Sequence, residues 1–209
     1  VTTLSANEDD PKSEEQKFIL VEDTHNSEAQ KGLKTFRGNL KSEKDIEEWI
    51  RSHSEETFTG WIVERVMKEE NCKRMVARKI YVCHFNKKNK KDDSKRSTRC
   101  QAKIDIKIKK LNKDTQKNDP FLKSHDPPLQ AVIVMHTQHN HYQLSFDAMS
   151  FLRATKETTE IFRQYFEDGH GPAASSRLHE LKLEMEDDGF VKIGNSAINP
   201  KMTTLEKQR

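Results

Sequence analysis

The chain has 209 residues, 33% of them hydrophobic and 34% charged, with a net charge of only +3. That is room for one or two small domains but too little apolar material for a core along the whole length, so parts of the chain are expected to lack packed structure. No run of about 18 apolar residues and no apolar leader is visible, so neither a membrane span nor a secretory signal is expected.

The first residue is Val, which reads as a processed chain or a fragment. Residues 1–38 show no sustained periodicity. Through Lys34 they carry eight Asp/Glu against four Lys. They read as a disordered acidic segment with one candidate short strand at "KFILV". Residues 39–143 read as a small β-sheet domain. Ser42 can cap a helix, with Asp45 three positions on as its capping-box partner. Ile46, Trp49 and Ile50 fall on one face, which predicts a helix over 42–54.

Four strand-like runs follow: "TGWIVERVM", "RMVARKIYVCHF", "CQAKIDIKIKKL" and "LQAVIVMH". The third alternates most clearly, with Ile104, Ile106 and Ile108 on one face and Lys103, Asp105, Lys107 and Lys109 on the other. The intervening stretches 86–97 and 112–127 are rich in Lys, Asn, Asp and Pro and read as loops. Four strands without helices between them predict an antiparallel meander. Residues 144–187 read as a helical hairpin, with Phe162, Tyr165 and Phe166 at helical spacing. Gly169 and Gly171 mark its turn, and Pro172 suits the first turn of the second helix. Residues 188–209 read as a polar tail. The expected class is α+β: a four-stranded antiparallel sheet, metal-stabilised, with an N-terminal helix and a C-terminal helical hairpin.

Three cysteines, Cys72, Cys83 and Cys100, are too few and odd in number for a disulfide framework, and they suit a reducing compartment. The nine histidines make metal binding a natural use for some of them. Cys83 closes the second strand, Cys100 opens the third, and "HTQHNHY" follows the fourth. In a meander these three points share one edge. His139 and His141, two apart in extended chain, point the same way while Asn140 points away. Two thiolates and two imidazoles make a closed tetrahedral Zn2+ site with no open position for catalysis. The competing reading makes Cys83 and Cys100 small core hydrophobes and the histidines an exposed loop. Cys72, His84 and His136 are rival ligands. His25, His53, His125, His170 and His179 read as surface residues.

"TGWIV", "YVCHF", "RSTRCQAKIDI" and "HNHYQL" occur in that order, and the set resembles the WRKY/glial-cells-missing zinc-finger superfamily. The nearest branches are the FLYWCH-type and far-red-impaired-response-type domains of Mutator-like transposases and their domesticated relatives. Gly60–Trp61, Cys83, Thr98–Cys100–Ala102 and His139–Asn140–His141 carry the likeness, over about residues 42–142. The long insertions after Cys83 and at 112–127 depart from it. The resemblance implies a nuclear, sequence-specific binder of double-stranded DNA, either a transcription regulator or the DNA-binding region of a domesticated transposase. It also implies a sheet that offers a strand edge to the major groove.

Between Lys87 and Lys117 there are thirteen Lys/Arg against four Asp, which suits a polyanionic partner. Candidate DNA contacts are Lys103, Lys107 and Lys109, with Arg96 and Arg99 leading into them, and Arg65, Arg74, Arg78 and Lys79 on the first two strands. The alternative is a protein-interaction or dimerisation module using the amphipathic hairpin 155–187, which could also serve as a helix-turn-helix. No Walker loop, GxSxG, HExxH or GxGxxG is present, and adjacent Cys83 and His84 point apart. The chain is not expected to be an enzyme.

Overall fold

A computed structural model of the chain describes residues 18–23, 32–68, 72–86 and 98–201. Among them, six strands form one antiparallel sheet. They are Leu20–Glu22 (β1), Leu33–Gly38 (β2), Trp61–Lys68 (β3), Met75–Cys83 (β4), Lys103–Lys109 (β5) and Ala131–His136 (β6), in the spatial order β1-β2-β6-β5-β4-β3. The α+β class agrees with the sequence, and β3 to β6 are the four strands of the expected meander.

The sheet has six strands rather than four. β1 and β2 arise within the stretch read as disordered, β1 overlapping the candidate strand "KFILV", and β2 pairs with β6, Phe36 opposite Ile133. The reason lies in what β2 buries. Thr35 and Arg37 are 3% and 7% exposed, so one inward face of this strand is polar and leaves no apolar alternation to detect. Residues 1–17 and 24–31 of the predicted acidic segment, and 87–97 of the predicted loop, lie outside the described residues.

One face of the sheet carries the helix Glu43–Thr57 (α1). Ser42 Oγ accepts from Asp45 N, and Asp45 Oδ2 accepts from Ser42 N, the predicted capping box. The helix stops at Phe58, which takes a left-handed conformation at φ 51° and donates its N–H to the Ser54 carbonyl. Ile46, Trp49 and Ile50 pack on Ala77, Tyr81, Ile104, Ile106, Ile108 and Ile133. The three β5 isoleucines are fully buried. Burial of that kind contributes about 1.5–3 kcal/mol per side chain. Lys79 belongs to the same face. It is buried beneath α1, with Nζ 2.7 Å from Glu43 and 2.6 Å from Glu47.

The opposite face is closed at its β2–β6–β5 end by the segment read as a loop. That segment folds into two short helices, Lys113–Asn118 (α2) and Pro120–Lys123 (α3), capped by the side chains of Asn112 and Asp119. Asp119 accepts two hydrogen bonds from Arg37, at 3.0 and 3.1 Å, and one from Lys109 at 2.5 Å. Arg37 also reaches Asp23 at 3.2 Å and lies 4.6 Å from the centre of the Phe121 ring. The cap is therefore held by a buried ionic cluster, and that cluster also explains how a strand can bury an arginine.

The C-terminal part contains Phe146–Met149 (α4), Lys156–Glu167 (α5), Pro172–Glu184 (α6) and Gly189–Ile193 (α7). α5 and α6 form the expected hairpin around Phe162, Tyr165 and Leu178. Residues 188–201 are not a free polar tail. After α7 the chain runs back to bond Ala197 O to Thr155 N, Met149 O to Ser196 N, and Ile198 O to the His179 ring. No helix is long and apolar enough to cross a membrane among the described residues.

Burial pushes the Asp119 carboxyl up, but the Lys109 ammonium and Arg37 guanidinium outweigh it and hold the group below its ordinary value. A depressed folded-state pKa contributes stability above the unfolded value, about 3.9, that is lost as pH falls through the folded one. Asp119→Asn is expected to cost about 3 kcal/mol at neutral pH, because it leaves Arg37 buried without its main counter-charge. Urea unfolding at pH 7 and below pH 4 checks this: the penalty should shrink in acid. The exposed pair Arg163–Glu160 serves as control, since Glu160→Gln should change little at either pH.

Candidate metal centre

At one corner of the sheet three chain segments converge. Cys83 ends β4, its N–H bonded to Ala102 O at 3.1 Å, and the chain turns tightly so that Asn86 N reaches Cys83 O at 2.8 Å. The Phe85 carbonyl accepts from both Thr98 N, at 3.1 Å, and Cys100 N, at 3.2 Å, while Asn86 Nδ2 donates to Cys100 O at 2.7 Å. Arg99 between them has φ 57°, a left-handed kink that turns Cys100 inward. Beyond β6 come His139 and His141. These contacts hold the two cysteines side by side beneath the two imidazoles.

The donor atoms of Cys83, Cys100, His139 and His141 all lie within 4.8 Å of one another. Cys83 Sγ is 3.2 Å from His141 Nε2, Cys100 Sγ is 3.5 Å from His139 Nδ1, and His139 Nδ1 is 3.2 Å from His141 Nε2. Metal–sulfur bonds near 2.3 Å and metal–nitrogen bonds near 2.0 Å give a tetrahedron with edges of about 3.3–3.8 Å. The four donors span that size. The set predicted from sequence is thus brought together in full, and it could hold a metal ion.

The electrostatics fit the same use. Both cysteines are fully buried, among Phe85, Ala102, Ala148, Trp61 and Phe151. Burial pushes the Cys83 thiol up to about 12. Burial, with the neighbouring His141 and His53, lowers the His139 imidazole to about 4. A pocket this dry favours neutral species. A divalent ion with two thiolates and two neutral imidazoles is neutral as a whole, so it reverses the thiol's preference without leaving net charge in the core. With Nε2 as its donor atom, His141 has Nδ1 free to donate toward Tyr142 O at 3.4 Å, which sets the tautomer. Four protein donors leave no vacant position, so the arrangement suits a structural ion.

The residue between the histidines carries a role that the sequence reading assigned to no one. Asn140 Nδ2 donates to Thr98 O at 2.7 Å, and Thr98 Oγ1 donates to Asn140 Oδ1 at 2.8 Å. This two-point clamp ties the histidine segment to the turn that presents Cys100. The signal was its alternate position in "HNH": a residue facing away from the donors must face the neighbouring turn. Trp61 is the second omission, its ring edge-on to His139 with centroids 5.8 Å apart.

The rivals lie elsewhere. Cys72 is outside the cluster, and His136 is exposed at the end of β6. His84 is buried facing Gly60, where a Cβ would sit 2.2 Å from its Nδ1. Three histidines read as surface residues are not: His125 is half-buried, its ring stacked on Phe121 at 5.4 Å. His53 stacks on Trp49 at 5.1 Å and faces Trp61 at 6.3 Å, and His179 is 5% exposed inside the hairpin. His25 lies outside the described residues.

Of the basic candidates, Arg65, Arg78, Lys103, Lys107 and Lys109 share the sheet face opposite α1, as the β4–β5 register requires. Three of them are paired: Arg78 with Asp105 at 2.5 Å, Lys103 with Glu64 at 3.5 Å, and Lys109 with Asp119. Lys79 is on the other face, buried under α1. Arg74 and Arg99 are exposed in turns, and Arg96 lies outside the described residues. Arg65 and Lys107 make no ion pair among the described residues.

Cys83→Ser, Cys100→Ser, His139→Ala and His141→Ala are each expected to lose bound metal and loosen this corner, whereas Cys72→Ser keeps both. Asn140→Ala should weaken metal affinity by about 10- to 100-fold while retaining all four donors. Competition against a colorimetric chelator reads each change.

No protein-family model, curated protein or solved structure matches the chain significantly.

Proposed function

We propose that the chain is a zinc-dependent, sequence-specific DNA-binding module. In this reading it is a transcription regulator or the DNA-binding region of a domesticated transposase, of the WRKY/glial-cells-missing type, and acts in the nucleus on double-stranded DNA. The observation that carries the reading is the closed set of two buried thiols and two imidazoles at the corner of an antiparallel sheet. Zinc suits mixed N/S donors with four protein ligands. A saturated site supplies folding free energy rather than chemistry, so no catalytic role is proposed.

The DNA surface in this reading is the edge strand β3 and the face it shares with β4 and β5. Arg65 is exposed there, and Lys107 carries a charge that no described carboxylate neutralises. Arg78 is held in a bidentate pair with Asp105, at 2.9 and 2.5 Å. That pair presents the guanidinium rigidly but takes away most of its attraction for phosphate. Affinity therefore falls to Arg65, Lys107 and the exposed turn arginines Arg74 and Arg99 rather than to a continuous lysine strip.

A protein-interaction reading has its own support. Met185 and Phe190 are 88% and 91% exposed beside Val191 and Leu181, an unusual amount of bare apolar surface for the end of a hairpin. Dimerisation through this end would cover it.

Duplex affinity over a salt series separates the two. Lys107→Ala is expected to weaken all duplexes alike and flatten the log–log salt slope by roughly one unit. Arg65→Ala is expected to relax sequence preference more than it changes the slope. Zinc-loaded chain that binds no duplex at low salt, yet sediments as a dimer abolished by Phe190→Asp, would favour the second reading.

A further inference from the structure

A cavity of about 480 Å³ lies at the seam between the sheet and the C-terminal helices. The end of α1 and the start of β3 wall it from one part of the chain, and residues 151–156 and 195–198 from another. Its size is that of a small-molecule site, and seams between structural units are where such sites concentrate. It is separate from the metal centre, though Trp61 and Phe151 border both.

The lining combines two chemistries. Phe58, Trp61 and Phe151 supply flat apolar surface. Arg51, Arg153 and Lys156 bring three cations against the single carboxyl of Glu55. Arg51 is shared with Glu48, 3.8 Å away, and Lys156 lies within electrostatic reach of Glu55, as Glu157 does, but neither Arg153 nor Lys156 makes a close ion pair among the described residues. α5 begins at this cavity. Its cap, Thr155, spends its hydroxyl oxygen on Thr158 N and its own N–H on Ala197 O. The amides of Lys156 and Glu157 then remain as first-turn donors with no intrahelical acceptor.

We propose that this cavity binds an aromatic anion, a nucleoside monophosphate, with its ring against Trp61, Phe58 and Phe151 and its phosphate at Arg153, Lys156 and the start of α5. Flat walls select a planar ring over an alkyl chain. Two cationic side chains and two backbone amides offer more donors than one carboxylate can accept, whereas a phosphate's three oxygens suit them. The same chemistry is offered by a free nucleotide or by the phosphorylated end of a nucleic-acid strand. The assignment does not depend on the DNA-binding reading: Trp61 and Ile62 at the start of β3 line the cavity, but none of Arg65, Arg78, Lys103, Lys107 and Lys109 does. A ligand seated here would bridge α1 to α5 and so hold the C-terminal unit against the sheet.

The test is titration of the full, metal-loaded chain with AMP, followed by the indole N–H signals in NMR. The chain has two tryptophans, and Trp49, buried in the core and separated from Trp61 by the His53 ring, serves as the reference against which a larger Trp61 shift is read. A saturable shift larger at Trp61 than at Trp49 is expected, with adenosine and inorganic phosphate each weaker by about tenfold or more. Arg153 and Lys156 are exposed, so R153A/K156A should fold, keep its metal, and weaken AMP about tenfold while leaving adenosine unchanged. Ala154→Phe, which fills the cavity, should abolish AMP binding. No saturable shift with millimolar AMP, equal affinity for adenosine, or undiminished binding in R153A/K156A would overturn the proposal. Competition by a 5′-phosphorylated oligothymidylate assigns the site to a strand end, and its absence to a free nucleotide.

Discussion

Four donor atoms within 4.8 Å of one another tie the end of β4, the start of the β5 run and the end of β6 to a single point. The constraint is geometric before it is chemical. Two buried thiols and two imidazoles cannot be crowded together in a dry corner unless the hydrogen-bond frame around them is fixed, and here it is. The Phe85 carbonyl, the Asn86 amide and the Asn140–Thr98 clamp each tie one donor-bearing segment to another. A metal ion held at that point would add cohesion to a corner packed by Phe85, Trp61 and Phe151.

The rest of the sheet manages its shortage of apolar residues with buried charge. Lys79 under α1 and Arg37 under the α2–α3 cap are each engaged by two carboxylates. Such pairs are weak as net stabilisers but expensive to break from one side, so they fix which surface meets which. α1 therefore has one way to lie on the sheet, with Glu43 and Glu47 over Lys79. The cap likewise has one, with Asp119 between Arg37 and Lys109. The visible cost is on the outer face of β3 to β5, where pairing with Glu64, Asp105 and Asp119 removes much of the positive charge that the lysine-rich sequence promised.

The features legible in sequence were those whose signal is local. The Ser42–Asp45 capping box, the β5 alternation of isoleucine and lysine, and the Phe162–Tyr165 spacing all follow from a few consecutive residues. So does the same-side projection of His139 and His141, which is why the donor set could be named from strand ends alone. What escaped depends on partners far away in the chain. β2 looks structureless because its buried Arg37 relies on Asp119, 82 residues on, for two of its hydrogen bonds, with Asp23 taking another. Lys79 looked like a surface charge because nothing near it in sequence shows that Glu43 and Glu47 overlie it. His53 and His179 were read as exposed because a histidine carries no apolar signature, although its ring stacks as well as a phenyl does.

The order of strands in space sets a schedule for their making. β2 pairs with nearby β1 on one side but finds its other neighbour, β6, only nearly a hundred residues later, and Cys83 meets His141 58 residues on. During synthesis the N-terminal half must wait, with one edge of β2 open and the donor set incomplete, until the last sheet strand and the histidines behind it leave the ribosome together. Long-range pairing of this kind slows folding, because loop closure comes before the contacts that reward it. Sheet completion and donor assembly thus fall at one moment of translation, so a chain stalled before residue 141 has neither.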